Sequence, residues 1–153
     1  MHLVKVYTRF SAALRLGRQG RSAEEESAIY GACAGLHGHD FEVEVAVAGP
    51  IDPQTGMVID FLKLHAALRE EVHNRFDHKY LNDIDVLAGQ IPTSENLSAI
   101  IWSLLEARLG AELIWSVSVS DRDGNSVTFF GPHVRTRSDL ILTTGAIAPL
   151  AER

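Results

Sequence analysis

The sequence predicts an α+β fold built on an antiparallel sheet, on three observations. Two stretches alternate apolar and polar residues at the period of a half-buried strand, Phe41-Glu42-Val43-Glu44-Val45-Ala46-Val47 and Trp115-Ser116-Val117-Ser118-Val119. Two segments with helical apolar spacing lie between them. The turn signal Asp123-Gly124-Asn125 then folds the second stretch back onto Val127-Thr128-Phe129-Phe130 as a hairpin.

A first strand is expected over residues 3–14, where Leu3-Val4-Lys5-Val6-Tyr7-Thr8 has alternating, β-branched and aromatic character. From Gly17 to Ala32 the chain is rich in Gly, Ser, Arg and Glu and reads as a solvated loop that can hold a helical turn, its Glu24-Glu25-Glu26 run on the surface. The second strand covers 40–48 with its odd positions inward. Gly49-Pro50-Ile51-Asp52-Pro53-Gln54-Thr55-Gly56 is turn chemistry. Asp60 can cap a helix in which Phe61, Leu64, Leu68 and Val72 share a face, through about Phe76. Ile91-Pro92-Thr93-Ser94-Glu95-Asn96 starts a second helix carrying Leu97, Ile100, Ile101, Leu104 and Leu105. The expected architecture is an antiparallel four-stranded sheet with two helices on one face, in the order ββααββ.

The chain has 153 residues and a net charge of -6, which fits one domain and argues against an electrostatic grip on nucleic acid or an anionic membrane surface. One cysteine, Cys33, excludes an internal disulfide framework and fits a reducing compartment. The opening residues lack the apolar run of a signal peptide, and no stretch has the roughly 20 apolar residues of a spanning helix, so a cytoplasmic protein is expected.

Five segments carry chemistry-bearing residues, each with a plain alternative. His37 and His39 are two apart at a strand entry, so both imidazoles leave one face and can meet one metal ion; they could equally be hydrogen-bonded strand side chains. Cys33 near these imidazoles could be an activated thiol or a small buried hydrophobe. In Asp77-His78, a carboxylate on one ring nitrogen would fix the tautomer and make the other a proton acceptor; a helix-ending Asp beside a solvated His is the alternative. Thr93, Ser94 and Glu95 open a helix whose free N–H groups can hold a polar ligand or simply be capped. Asp121 can grip a guanidine-like edge by two parallel hydrogen bonds, or begin its turn.

Together these segments resemble the family of 6-pyruvoyltetrahydropterin synthase and 6-carboxytetrahydropterin synthase, from about Val6 to Gly131. The signatures are Phe10-Ser11-Ala12-Ala13, Cys33 with Leu36-His37-Gly38-His39, Asp52-Pro53 with Thr55-Gly56-Met57-Val58-Ile59-Asp60-Phe61, Phe76-Asp77-His78 with Leu81-Asn82, Pro92-Thr93-Ser94-Glu95-Asn96, and Val117-Ser118-Val119-Ser120-Asp121. The resemblance implies a tunnelling fold (T-fold) over residues 1–131 with a C-terminal extension at 132–153. It further implies a homohexamer made as a dimer of trimers, and a pterin or purine-like small molecule as ligand. By motif, Cys33, Asp77 and His78 match the family's proton-moving groups. Thr93, Ser94, Glu95 and Asp121 match its pterin contacts, and His37 and His39 match two of its three zinc ligands.

Two departures qualify this carry-over. The third zinc histidine is replaced by Leu14, and Asp121-Arg122 stands where the family has Glu-Thr. A Glu of the 24–26 run, or His133 of the tail, could supply a third ligand from elsewhere in the chain. The expectation is a pterin-binding homologue with impaired or altered activity; the alternatives are an active lyase that eliminates triphosphate from dihydroneopterin triphosphate, and a T-fold subunit without ligand.

Overall fold

The structure is a computed structural model, which describes residues 2–110, 112–122 and 124–132. The extension expected at 132–153 falls outside these residues from His133 onward.

The element order is β1 (His2–Leu14), α1 (Ala23–Tyr30), a 3-10 turn (Gly31–Ala34), β2 (His37–Gly49), α2 (Phe61–Leu68), a π turn (Arg69–His73), α3 (Asn74–Phe76), β3 (Lys79–Tyr80), α4 (Ser94–Leu109), β4 (Ile114–Asp121) and β5 (Ser126–Phe129). The sheet runs β3-β1-β2-β4-β5. β1, β2, β4 and β5 pair antiparallel as expected, with His2 opposite Gly49 and Leu14 opposite His37 at the two ends of the longest ladder.

The expected four-stranded antiparallel sheet is corrected to a mixed five-stranded one, because Lys79 and Tyr80 pair parallel with Ala12 and Ala13 at the edge of β1. Two residues are too few to show a period of two. A second correction lies at 17–32, where an eight-residue helix replaces the expected loop. Its start is a capping box: Ser22 Oγ accepts the Glu25 N–H and the Glu25 carboxylate accepts the Ser22 N–H. No apolar stripe announces α1, since the side chain it buries is Glu26, at 5% exposure rather than on the surface.

Asp60 caps α2 through the Leu62 N–H at 2.8 Å, as the sequence indicates. The inward residues Leu64, Leu68, Val72 and Phe76 are four apart, a repeat that drifts about 40° per step around an ordinary helix. The π turn at Arg69–His73 widens the winding and keeps Val72 and Phe76 in the core. Phe61, expected on the same face, is half exposed.

The core lies between the helices and the odd positions of β2, with Phe10 packed on Phe41 (5.0 Å) and Phe76 (5.5 Å). The opposite sheet face is a polar ladder: Lys5 and Tyr7 on Glu44, Arg9 on Glu42, and Ser11 on Asp40. The alternating Glu42 and Glu44 therefore mark the solvent face, each meeting a partner across β1.

Leu62 and Leu64 are two apart in α2, the first 78% exposed and the second fully buried. Leu64→Ala is expected to destabilise by about 2–5 kcal/mol in urea unfolding, and Leu62→Ala to stay within about 0.5 kcal/mol.

Candidate functional site

Asp77 follows α3, where the chain turns back toward the sheet and meets β1 at Ser11. The Ser11 N–H donates to Asp77 Oδ1 (2.8 Å), and the His78 N–H donates to the Ser11 carbonyl (2.7 Å). His78 Nδ1 lies 2.6 Å from Asp77 Oδ2, so the proton of this hydrogen bond sits on Nδ1, and Nε2 is free to accept one. The imidazole is 84% exposed. His78 is also, among the described residues, the one non-glycine residue with φ in the left-handed region, at 56°. A β-carbon there costs about 1–2 kcal/mol, which the two bonds to Ser11 and the contact with Asp77 hold in place. The Ser11 N–H, then the His78 ring and more weakly His73, hold the Asp77 carboxyl below its ordinary range.

His37 and His39 enter β2 on the core face, half-buried, their rings edge-to-face at 5.0 Å. His37 Nδ1 is 2.9 Å from the Gly35 carbonyl, and the His39 ring lies tilted against Phe41 at 5.4 Å. Leu14 lies directly opposite His37 in the β1–β2 register and Ala12 opposite His39. Cβ atoms of such pairs are about 4.5–5.5 Å apart, so Leu14 holds the place from which β1 would reach a metal between the two rings. Leu14 is buried and has no donor atom. Glu26 is turned away, Oε1 accepting the Arg18 N–H at 2.6 Å, and His133 is outside the described residues. Among the described residues no three His, Cys, Asp or Glu side chains are grouped to hold a metal ion. The residues present do not fit a three-histidine zinc site.

Cys33 is exposed in the 3-10 turn, and its carbonyl accepts the Leu16 N–H (2.8 Å), which pins the turn beside the end of β1. Asp121 ends β4 next to Phe41, and both its carboxylate oxygens accept from Asn125, from the backbone N–H and the side-chain amide at 3.0 Å each. The carboxylate thus closes its own turn. Asp77 and Asp121 line one cavity of about 560 Å3 with Ser11, Asp40 and Arg122. Thr93, Ser94 and Glu95 lie elsewhere: Thr93 caps α4 through the Asn96 N–H, Ser94 opens the helix and Glu95 is exposed.

Sequence reasoning missed three groups. Ser11 works through its backbone, which no side-chain pattern reveals. His73 Nδ1 is 2.9 Å from the Arg9 carbonyl, and its Nε2 is 3.7 Å from Asp77 Oδ2. Its spacing four residues before Asp77 was the available signal. Asp40 pairs with Arg122 at 3.2 Å across the strands and accepts the Ser11 hydroxyl.

The sequence profile described as 6-pyruvoyl tetrahydropterin synthase matches residues 3–132. The chain is 36% identical over 123 residues to the 6-pyruvoyl tetrahydrobiopterin synthase of Dictyostelium discoideum, covering 80% of this chain and 90% of that one. It is 36% identical over 125 residues to the human protein of that name (80% and 86%). It is 39% identical over 108 residues to the 6-carboxy-5,6,7,8-tetrahydropterin synthase of Synechocystis (68% and 81%). The solved Caenorhabditis elegans 6-pyruvoyl tetrahydropterin synthase superposes with a TM-score of 0.78 at 27% identity, over 85% of this chain and 95% of that one.

Two outcomes follow for Asp77 and His78. A carboxyl held low in the folded state contributes stability above its unfolded pKa, about 3.9, and loses it as the pH falls through the lower folded value. Thermal melts of Asp77→Asn should therefore lack part of the acid-side fall in Tm seen below about pH 4 in the parent. His78→Gly should leave stability unchanged or raise it by about 0.5–1 kcal/mol, as strain is released and only an exposed ring contact is lost.

Proposed function

The chain belongs to the 6-pyruvoyl tetrahydropterin synthase family, and from that premise we propose that it is a pterin-binding T-fold protein whose lyase reaction is impaired or altered. The observation that carries this reading is Leu14, buried opposite His37 where β1 would bring the third zinc histidine. With two imidazoles and no third donor, affinity for zinc falls steeply, and polarisation of the substrate's side-chain oxygens goes with it. The ligand is a pterin or a purine-like heterocycle. Its guanidine-like edge is taken by Asp121, whose two oxygens each accept one N–H bond from Asn125, a pair that the ligand would replace. Thr93, Ser94 and Glu95 add polar contacts at the start of α4.

Within one protomer these groups lie apart: Asp121 and Asp77 on one cavity, Thr93 to Glu95 at a helix start, Cys33 near the end of β1. That dispersal supports sites completed at subunit interfaces, and with it a homohexamer of two stacked trimers joined through the edges of the sheets. A cytoplasmic location is in keeping with the composition, and no helix among the described residues is long and apolar enough to cross a membrane.

The second reading is an active lyase converting dihydroneopterin triphosphate to a 6-substituted tetrahydropterin with loss of triphosphate. It is favoured by the complete proton-transfer set: Cys33 exposed, and His78 with Nδ1–H on Asp77 and Nε2 in solvent. In that reading His78 Nε2 takes a proton from the substrate side chain, Asp77 stabilises the imidazolium, and the Cys33 thiol exchanges the second proton.

Metal binding and turnover separate the two. Leu14→His should gain about one zinc per chain, and cobalt substitution should show tetrahedral ligand-field bands absent from the parent. Parent protein is expected to retain no zinc after dialysis and to leave dihydroneopterin triphosphate unconsumed. Turnover by zinc-supplemented parent protein would overturn the first reading and establish the second.

A further inference from the structure

One oxygen of the Asp77 carboxylate faces two imidazoles. Oδ1 is taken by the Ser11 N–H at 2.8 Å, whereas Oδ2 lies 2.6 Å from His78 Nδ1 and 3.7 Å from His73 Nε2. His78 is the next residue in the chain and its ring is largely in solvent; His73 stands four residues before Asp77 and is half-buried.

The two rings differ in what they offer that oxygen. His73 Nδ1 is 2.9 Å from the Arg9 carbonyl of β1, which only accepts, so Nδ1 carries the proton of the neutral ring. Nε2 of neutral His73 then presents a lone pair to Asp77 Oδ2, acceptor against acceptor, and no hydrogen bond forms. A second proton on the ring reverses the sign, because Nε2–H is a charged donor facing a carboxylate. His78 donates from Nδ1 whether its ring is neutral or charged. Oδ2 thus has one permanent partner and one that depends on a proton.

The groups packed around His73 set what a proton there meets. From β1 come the Arg9 carbonyl and Tyr7, whose hydroxyl donates to Glu44, while the Arg9 guanidinium is held by Glu42 on the other face of the sheet. From α2 and the π turn, His65 and Arg69 share with His73 a cavity of about 380 Å3 beside Tyr7. Glu70 and Glu71 of the same turn are taken by Arg108 of α4 and by Arg75 of α3. Beyond Asp77, Asp40 and Arg122 pair with each other. Arg69 and a charged His65 oppose a proton on His73, and Asp77 is the carboxylate that favours one. The Ser11 N–H and the His78 ring do most to hold the Asp77 carboxyl low, and His73 adds a smaller pull in the same direction.

We propose that His73 is a positioning residue of the Asp77–His78 pair, a second imidazole that draws on the shared carboxylate oxygen when it carries a proton and leaves that oxygen to His78 when it does not. Two cations on one oxygen divide its charge and repel each other, so Asp77 supports an imidazolium at His78 best while His73 is neutral. His73 acts through Asp77 and touches no reacting atom. This role rests on the proposed function in taking Asp77 and His78 as the pair that moves protons.

The test is NMR of the full-length protein, labelled with 15N in histidine and 13C in aspartate and titrated from neutral to acid pH. Neutral His73 is expected as the Nδ1–H tautomer, and the Asp77 carboxyl resonance should follow protonation of the His73 ring. In His73→Asn the amide nitrogen, bonded to Cγ as Nδ1 is, can still donate to the Arg9 carbonyl, so Tm should match the parent. The inflection shared with His73 should nonetheless vanish, and the Asp77 carboxyl should titrate at higher pH. His73→Phe, which keeps a ring but loses the contact with Arg9, should lose the same inflection. Asp77 titrations identical in the parent and both variants, or a neutral His73 carrying its proton on Nε2, overturn the role. These readouts use no ligand, so zinc binding by Leu14→His and turnover by the parent report separately on the proposed function.

Discussion

One peptide edge, at Ser11 of β1, holds Asp77 and His78 in place. Its N–H donates to Asp77 Oδ1 and its carbonyl accepts the His78 N–H, so a strand edge grips the Asp77–His78 pair from both sides. The grip matters because His78 sits in a backbone region that resists a β-carbon, and only over-determined surroundings keep it there. The next residues, Lys79 and Tyr80, continue the contact as a two-residue parallel strand on Ala12 and Ala13. Asn82 completes it by clamping Arg15. On its other edge β1 sets the register of β2, and with it the positions of His37 and His39 opposite Leu14 and Ala12. The Asp77–His78 pair and the two imidazoles of β2 thus hang on residues 11–14 of a single strand.

That economy makes one substitution consequential. A histidine at position 14 would put a polar ring on the core face, whereas leucine there is 97% buried beside the turn that carries Cys33. Burying a leucine is worth about 1.5–3 kcal/mol, so packing and metal chemistry pull in opposite directions at this site. With leucine present, the two imidazoles settle on local partners: His37 on the Gly35 carbonyl, and His39 between His37 and Phe41. The sheet is undisturbed, since β1 and β2 pair over their whole length. The family fold and a leucine at position 14 are therefore compatible, because the ladder depends on backbone bonds and alternate packing and not on the identity of one side chain at its end.

Much of this was legible in the sequence. Alternation fixed β2 and β4, Asp60 and Thr93 announced their helices, and the ordered motifs pointed to the family before any contact was visible. What was hidden had physical reasons. β3 is shorter than its own period. α1 buries a glutamate, which apolar patterning reads as surface. The π turn that keeps Val72 and Phe76 inward follows from a four-residue repeat that an ordinary helix cannot hold. At the candidate site, the role of Ser11 lies in its backbone, and His73 meets Asp77 through an i,i+4 spacing that is not distinctive by itself. Asp121 was read with two outcomes open, and its carboxylate does close the turn, in a geometry a guanidine-like ligand edge could take over.

The central claim is that β1 holds Asp77 and His78 so that one ring nitrogen is committed to the carboxylate and the other is free. Long-range 15N–1H NMR of the histidine rings reads this directly at neutral pH. The account predicts that neutral His78 is the Nδ1–H tautomer, with an unprotonated Nε2, and that this preference is lost in Asp77→Asn. A His78 ring carrying its proton on Nε2, or a tautomer indifferent to Asp77, would contradict it.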